Sequence, residues 1–211
     1  MILKPHFRNW LAGLARRIWR DDEAAQLVEF AVSLPLLVVF VVGIFDFSGA
    51  YTLKQKLTNI ARDSARAAAA DPATDLTQPA TIPASVSDAL QLVKNYLYAN
   101  QLSDCGITQG LYTSGPGLTW TFTVTPTSSA PCGITLIINR AYYFPVGASS
   151  QPAIVNCQPQ GPPGVQVQVI STCVSIQYAY QWRFGRVASL LGATATLPSN
   201  ISATAVAMNE N

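Results

Sequence analysis

The stretch AAQLVEFAVSLPLLVVFVVGIFDF, residues 24–47, decides the fold. From Phe30 to Phe45 it carries no charge; Glu29 stands at its head and Asp46 at its tail. Leu27–Phe45 is 19 residues long, close to the roughly 20 that cross a bilayer as a helix. A soluble core helix keeps a polar stripe, and here Ser33 alone interrupts the apolar face. Pro35 removes one backbone donor, which membrane helices tolerate. The span is therefore read as transmembrane, about residues 27–47. Glu29 and Asp46 are 17 residues apart, roughly 25 Å along a helix, so each acid falls near an interface and avoids the bilayer centre.

The flanks set the orientation. Lys4, Arg8, Arg16, Arg17 and Arg20 precede the run, which places residues 1–24 in the cytoplasm as a basic leader. Lys54, Lys56, Arg62 and Arg66 follow it and weaken that asymmetry. Phe7, Leu11, Leu14 and Ile18 recur at helical spacing, so the leader is either an amphipathic turn on an anionic membrane face or a solvated basic segment. The remainder is low in charge: charged residues are 11% of the chain, under half the usual share, and the net charge is +2, which gives no nucleic-acid footprint. From Pro72 onward stand four acids (Asp75, Asp88, Asp104, Glu210) and four bases (Lys94, Arg140, Arg183, Arg186). All four cysteines, Cys105, Cys132, Cys157 and Cys173, lie there too, without CxxC spacing, and the one histidine is His6. Zinc binding is disfavoured. Two disulfides in an oxidising compartment are expected, which puts residues 71–211 outside the cytoplasm. The loops favour Cys132–Cys157, because those residues flank a strand at 134–144, and leave Cys105 for Cys173.

The first helix is expected to run past the membrane, over 25–70. Leu53, Leu57, Ile60, Ser64 and Ala68 form one stripe at helical spacing, and Asp71-Pro72 ends it. Unbroken, those 46 residues measure about 69 Å. Ser85-Val86-Ser87-Asp88 reads as a capping box, followed by a second helix with Val86, Ala89, Leu90, Val93 and Leu97 on one face. Period-two patterns then predict strands at 118–125, 134–144, 165–183 and 200–208. Leu118, Trp120, Phe122 and Val124 alternate cleanly. In 165–183 the apolar phase changes from odd (Val165, Val167, Val169) to even (Val174, Ile176, Tyr178, Tyr180, Trp182), so a bulge is expected near Ile170–Thr172. Residues 158–164, QPQGPPG, are a loop. The expected class is α+β: a long N-terminal transmembrane helix continuing into a domain with a short second helix and an antiparallel sheet of about four strands.

The N-terminus admits three processings: an uncut anchor, a signal peptide cut near Ser48-Gly49-Ala50, or a prepilin-type leader cut between Ala24 and Ala25 with Glu29 fifth after the cut. The third connects to a family. Val28-Glu29-Phe30-Ala31, then the leucine-rich span, Gly43-Ile44-Phe45-Asp46-Phe47 with Ala50-Tyr51, and Leu57-Thr58-Asn59-Ile60-Ala61-Arg62-Asp63-Ser64-Ala65-Arg66 resemble, in order and spacing, TadE-like minor pseudopilins of the Tad (tight adherence) pilus system. Ile201–Met208 looks like that family's closing strand. Two departures stand out: Gly49 occupies a position where arginine is common, and Ala24 replaces the more usual glycine before a prepilin cut.

The resemblance implies a pilin-like fold and a structural subunit that serves adhesion and secretion, with no cofactor. It implies prepilin-peptidase cleavage at Ala24 and Ala25 and subunit assembly through Glu29, Phe30 and Asp46. The implied partners are prepilin peptidase, other Tad pilins and pseudopilins, the inner-membrane assembly platform and the lipid bilayer. The implied place is the inner membrane, crossed once. No nucleophile–base pair can be nominated in the outer domain, so an enzyme is not expected. The alternative is an anchored or secreted binding module that offers the Tyr- and Trp-bearing strand at 165–183 to a ligand.

Overall fold

The computed structural model describes residues 22–72, 76, 82–107, 111–115, 118–128, 131–145, 156–157, 168–184 and 197–210. The basic leader with its apolar stripe, the loop at 158–164, and Val165 and Val167 lie outside the described residues. The chain is α+β: helix α1 (Asp22–Ala70), helix α2 (Ala84–Ala99), and strands β1 (Leu111–Gly115), β2 (Thr119–Val124), β3 (Ile134–Pro145), β4 (Gln168–Ala179) and β5 (Asn200–Met208). Two compact units are present: Met1–Ser48 with Trp182–Thr196, and Gly49–Gln181 with Leu197–Asn211.

The second unit holds the sheet. Its strands follow chain order, β1-β2-β3-β4-β5, with every neighbouring pair antiparallel. Four of the strands match the expected ones; β1, a short LYTSG segment, is additional. One face of the sheet receives both helices. The stripe Leu53, Leu57, Ile60, Ser64 and Ala68 is buried there with Val86, Ala89, Leu90, Val93 and Leu97 of α2. Against them stand Trp120, Phe122, Leu136, Ile138, Val174, Ile176 and Ala203. The stripe therefore packs inside the chain's own core. On the opposite face Ile137, Tyr142, Cys157 and Cys173 form a smaller cluster, with Val206 packed on it.

That second cluster bears on the apolar pattern of β4 from Ser171 onward. Both faces of this inner strand are covered, so Ser171–Ile176 is buried at every position. The bulge sits on the partner strand. Asn139 pairs with Cys173 and Tyr142 with Ser171, which leaves Arg140 and Ala141 opposite Thr172. β3 thus changes phase: Ile134, Leu136 and Ile138 face the helices, whereas Tyr142 joins the other cluster. Asn139 satisfies the bulge by accepting from the Ala141 N–H at 2.9 Å and donating to the Cys157 carbonyl at 3.2 Å.

The bulge also places Arg140 against the end of α1. Its buried guanidinium donates to the carbonyls of Ala68 and Asp71 and to the Thr172 hydroxyl. Carbonyls in the last helical turn have no intrahelical donor, and Pro72 stops the helix from continuing. Thr172 in turn donates to Asn209 at 2.7 Å, so one polar network joins α1, β3, β4 and the segment after β5.

The expected capping box does not form. α2 starts at Ala84 behind Pro83, which makes no side-chain cap; the Val86 and Ser87 N–H groups donate to the Pro83 carbonyl instead. Ser85 falls inside the first turn and is buried. At the other end Gln101 takes a left-handed φ of 58°. Its N–H donates to Tyr98 O and the Leu102 N–H to Leu97 O, which is the Schellman arrangement.

Candidate functional site

The site candidates of the N-terminal segment lie along α1. From Ala25 to Val38 every side chain is exposed, including large ones such as Phe30 at 61%. Isolated exposed apolar residues are ordinary; a continuous helical surface of them marks a surface made for lipid or for other apolar helices. By length and composition the helix qualifies as a membrane span, consistent with a single-pass anchor. Ser33 suits that setting, because its hydroxyl donates to the Phe30 carbonyl at 3.2 Å within the helix. Glu29 and Phe30 are both exposed, and the Ala24–Ala25 bond lies within the helical segment.

Asp46 is placed differently. It is 6% exposed, and its Oδ2 accepts the backbone N–H groups of Arg183 at 2.7 Å and Phe184 at 2.8 Å. A buried carboxylate is costly unless hydrogen-bonded, and two convergent amide donors supply what it needs. Aromatic rings complete the site. Phe47 lies 5.3 Å from Trp182 and 6.2 Å from Phe184, centroid to centroid. Gly43 makes the approach possible, since a Cβ there would stand 3.3 Å from the Phe184 ring. Val39, Val42, Gly43 and Asp46, spaced by three and four, are the covered face of this part of α1. The two acids that frame the apolar run are thus unlike: Glu29 is open to its surroundings, and Asp46 is engaged by its own chain.

Sequence reasoning did not foresee the contact with residues 182–184. It extended the strand at 165–183 to Arg183, whereas β4 ends at Ala179. The signal lay in Trp182-Arg183-Phe184, two aromatics around a base, beyond a strand that no longer needed them. Of the aromatics expected there as a ligand surface, Tyr178 and Tyr180 are half-buried. Tyr178 and Tyr180 pack against the core, and the Tyr178 hydroxyl donates to Ser103 O at 3.1 Å. At Gly49, where arginine is common in the resembled family, the Tyr180 hydroxyl stands 2.9 Å from where a Cβ would sit.

The four cysteines form two bridges, Cys105–Cys132 and Cys157–Cys173, a correction of the expected pairing. The reason is the sheet. Cys105 follows α2 and packs on the helix-side core, and Cys132 precedes β3 beside Tyr178. Cys157 and Cys173 belong to the cluster on the opposite face. A Cys105–Cys173 bridge would have to pass through the sheet. Flanking β3 does not bring Cys132 and Cys157 together either, because they lie on different faces, Cys132 before the start of the strand and Cys157 beside Asn139 at its middle.

An N-terminal apolar helix joined to an α+β domain defines the class of protein: a chain with, among the described residues, one candidate membrane anchor and a disulfide-bonded domain. Residues 24–66 match the family described as TadE-like protein, so the resemblance read from the sequence holds over that segment. Neither the curated proteins nor the solved structures give a match.

Proposed function

We infer that the protein is a minor pseudopilin of a Tad-type pilus system, a structural subunit held in the inner membrane by α1. In this reading residues 1–24 are a cytoplasmic leader, residues 25–70 the N-terminal helix, and residues 71–211 a domain outside the cytoplasm. Prepilin peptidase cuts between Ala24 and Ala25. Other Tad pilins and the assembly platform are the partners, alongside the lipid bilayer. The observation that carries the reading is Glu29, exposed on an apolar helix five residues after the Ala24–Ala25 bond, inside the matched segment.

The chemistry follows from that placement. A cut after Ala24 creates an α-amino group on Ala25 with a reference pKa of about 7.7–8.0, largely positive near neutral pH. An unpaired carboxylate among apolar helices is costly, and a neighbour's amine offsets much of that cost. Glu29 then distinguishes processed neighbours from uncut ones, which lack the amine. Phe30 shares the exposed stretch and serves the same contact. Asp46, committed to the amides of residues 183 and 184, acts within the subunit and leaves the pairing to Glu29. Two variants test the reading in cells. Replacing Ala24 with a bulky residue blocks cleavage. Glu29→Ala leaves cleavage intact and impairs association with other subunits; normal association of Glu29→Ala would refute the pairing.

A further inference from the structure

We propose that the turn Trp182-Arg183-Phe184 is a second membrane contact, docked into the lipid headgroup layer and held there by Asp46. The proposal rests on the reading of α1 as membrane-spanning. Three observations lead to it. The turn lies against α1 at Gly43 and Phe47, and Gly43 is two residues inside the apolar run that ends at Phe45. The Phe184 ring therefore reaches the depth of the last apolar turn. The residues are of the type that headgroup regions hold: Trp and Phe for the boundary with the acyl chains, and an exposed Arg183 whose guanidinium matches lipid phosphate. The α1 surface beside the turn is open, with Ile44 and Phe45 both exposed and Phe45 at 75%, so lipid that covers them meets the turn as well.

Asp46 makes the arrangement compatible with that depth. A free aspartate one residue beyond the apolar run would draw water inward. Here its Oδ2 takes the two amide protons of Arg183 and Phe184. The same bonds satisfy the N–H groups of Arg183 and Phe184, where the chain enters helical geometry and the first amides have no intrahelical acceptor. One acid thus closes both polar debts of the contact and fixes where the turn meets the helix.

The experiment uses the full chain in vesicles of phosphatidylcholine and phosphatidylglycerol. A nitroxide is placed, one at a time, at Leu36→Cys within the apolar run, at Arg183→Cys, and at Tyr98→Cys on α2, where Tyr98 is 85% exposed. Accessibility to oxygen and to a water-soluble nickel chelate is then read. The proposal expects position 36 to be oxygen-accessible and nickel-protected, position 98 the reverse, and position 183 between them at headgroup depth. Adding Asp46→Ala to the Arg183→Cys chain should raise nickel accessibility at 183 to that at 98. If 183 matches 98 while 36 remains in lipid, the second contact is refuted and the membrane reading stands. Protection of 183 from both reagents would mean packing against protein and refutes it too. Nickel access at 36 would overturn the membrane reading and the proposal with it. An unchanged signal at 183 in the Asp46→Ala chain would refute the tether.

Discussion

Gln101, Arg140 and Tyr178 each hold a position that the residue type alone does not announce. Gln101 stands where the Schellman turn needs a left-handed φ, at 58°. A side chain there costs roughly 1–2 kcal/mol, part of which glycine returns through its looser unfolded state. Gln101→Gly should therefore raise stability by about 0.5–1 kcal/mol, seen as a higher denaturation midpoint of the full chain in detergent. Arg140 is buried, and its donors meet two backbone carbonyls at the end of α1. Arg140→Ala should cost about 2–4 kcal/mol, because those carbonyls stay buried without their donor. For Tyr178 the sign is set by burial, which raises the phenol above its usual 10.0; the Ser103 backbone bond opposes this and the charge of Asp104 adds to it. The folded chain thus keeps a proton that the unfolded chain releases. That stability is complete below about pH 10 and declines as pH rises through the raised value. Tyr178→Phe should flatten the alkaline decline in melting temperature and leave the share due to Tyr142, which burial also raises.

At the scale of elements, period was legible and pairing was not. The five stripe positions of α1 and the five of α2 are buried as their spacing requires, since one helix face decides burial. The start of α2 was misread because Ser85 resembles a cap by type, while Pro83 sets the entry and the core takes the serine. The register shift expected near Ile170–Thr172 does fall opposite Thr172, but β3 carries the extra residue, and burial of Ser171–Ile176 on both faces hides the period there. β1 was missed because LYTSG is too short and too small to alternate. The cysteine pairs depend on which face of the sheet each loop reaches, and chain order does not carry that. Non-reducing peptide mapping should recover Cys105 with Cys132 and Cys157 with Cys173. Removing either bridge as a Cys-to-Ala pair should cost about 3–4 kcal/mol. Gly133 adds a sharper test of the turn between β2 and β3. A Cβ there would stand 2.6 Å from the Pro126 ring, so Gly133→Ala should displace that ring and lower stability by about 1–3 kcal/mol.

For the whole molecule, the family resemblance was most legible along residues 24–66, the segment that the TadE-like match covers. Glu29 and the apolar run are exposed, so their pattern was left undisguised by packing. The fate of Asp46 was hidden, because it depends on a segment 137 positions away in the chain. The central claim is that the subunit is processed on the cytoplasmic side before it assembles. Mass spectrometry of the chain purified from its native envelope tests it most directly. The account predicts a mature N-terminus at Ala25, with Met1–Ala24 lost. A start at Tyr51 would make the protein a secreted module, and an intact Met1 a simple anchor; either result would contradict the account.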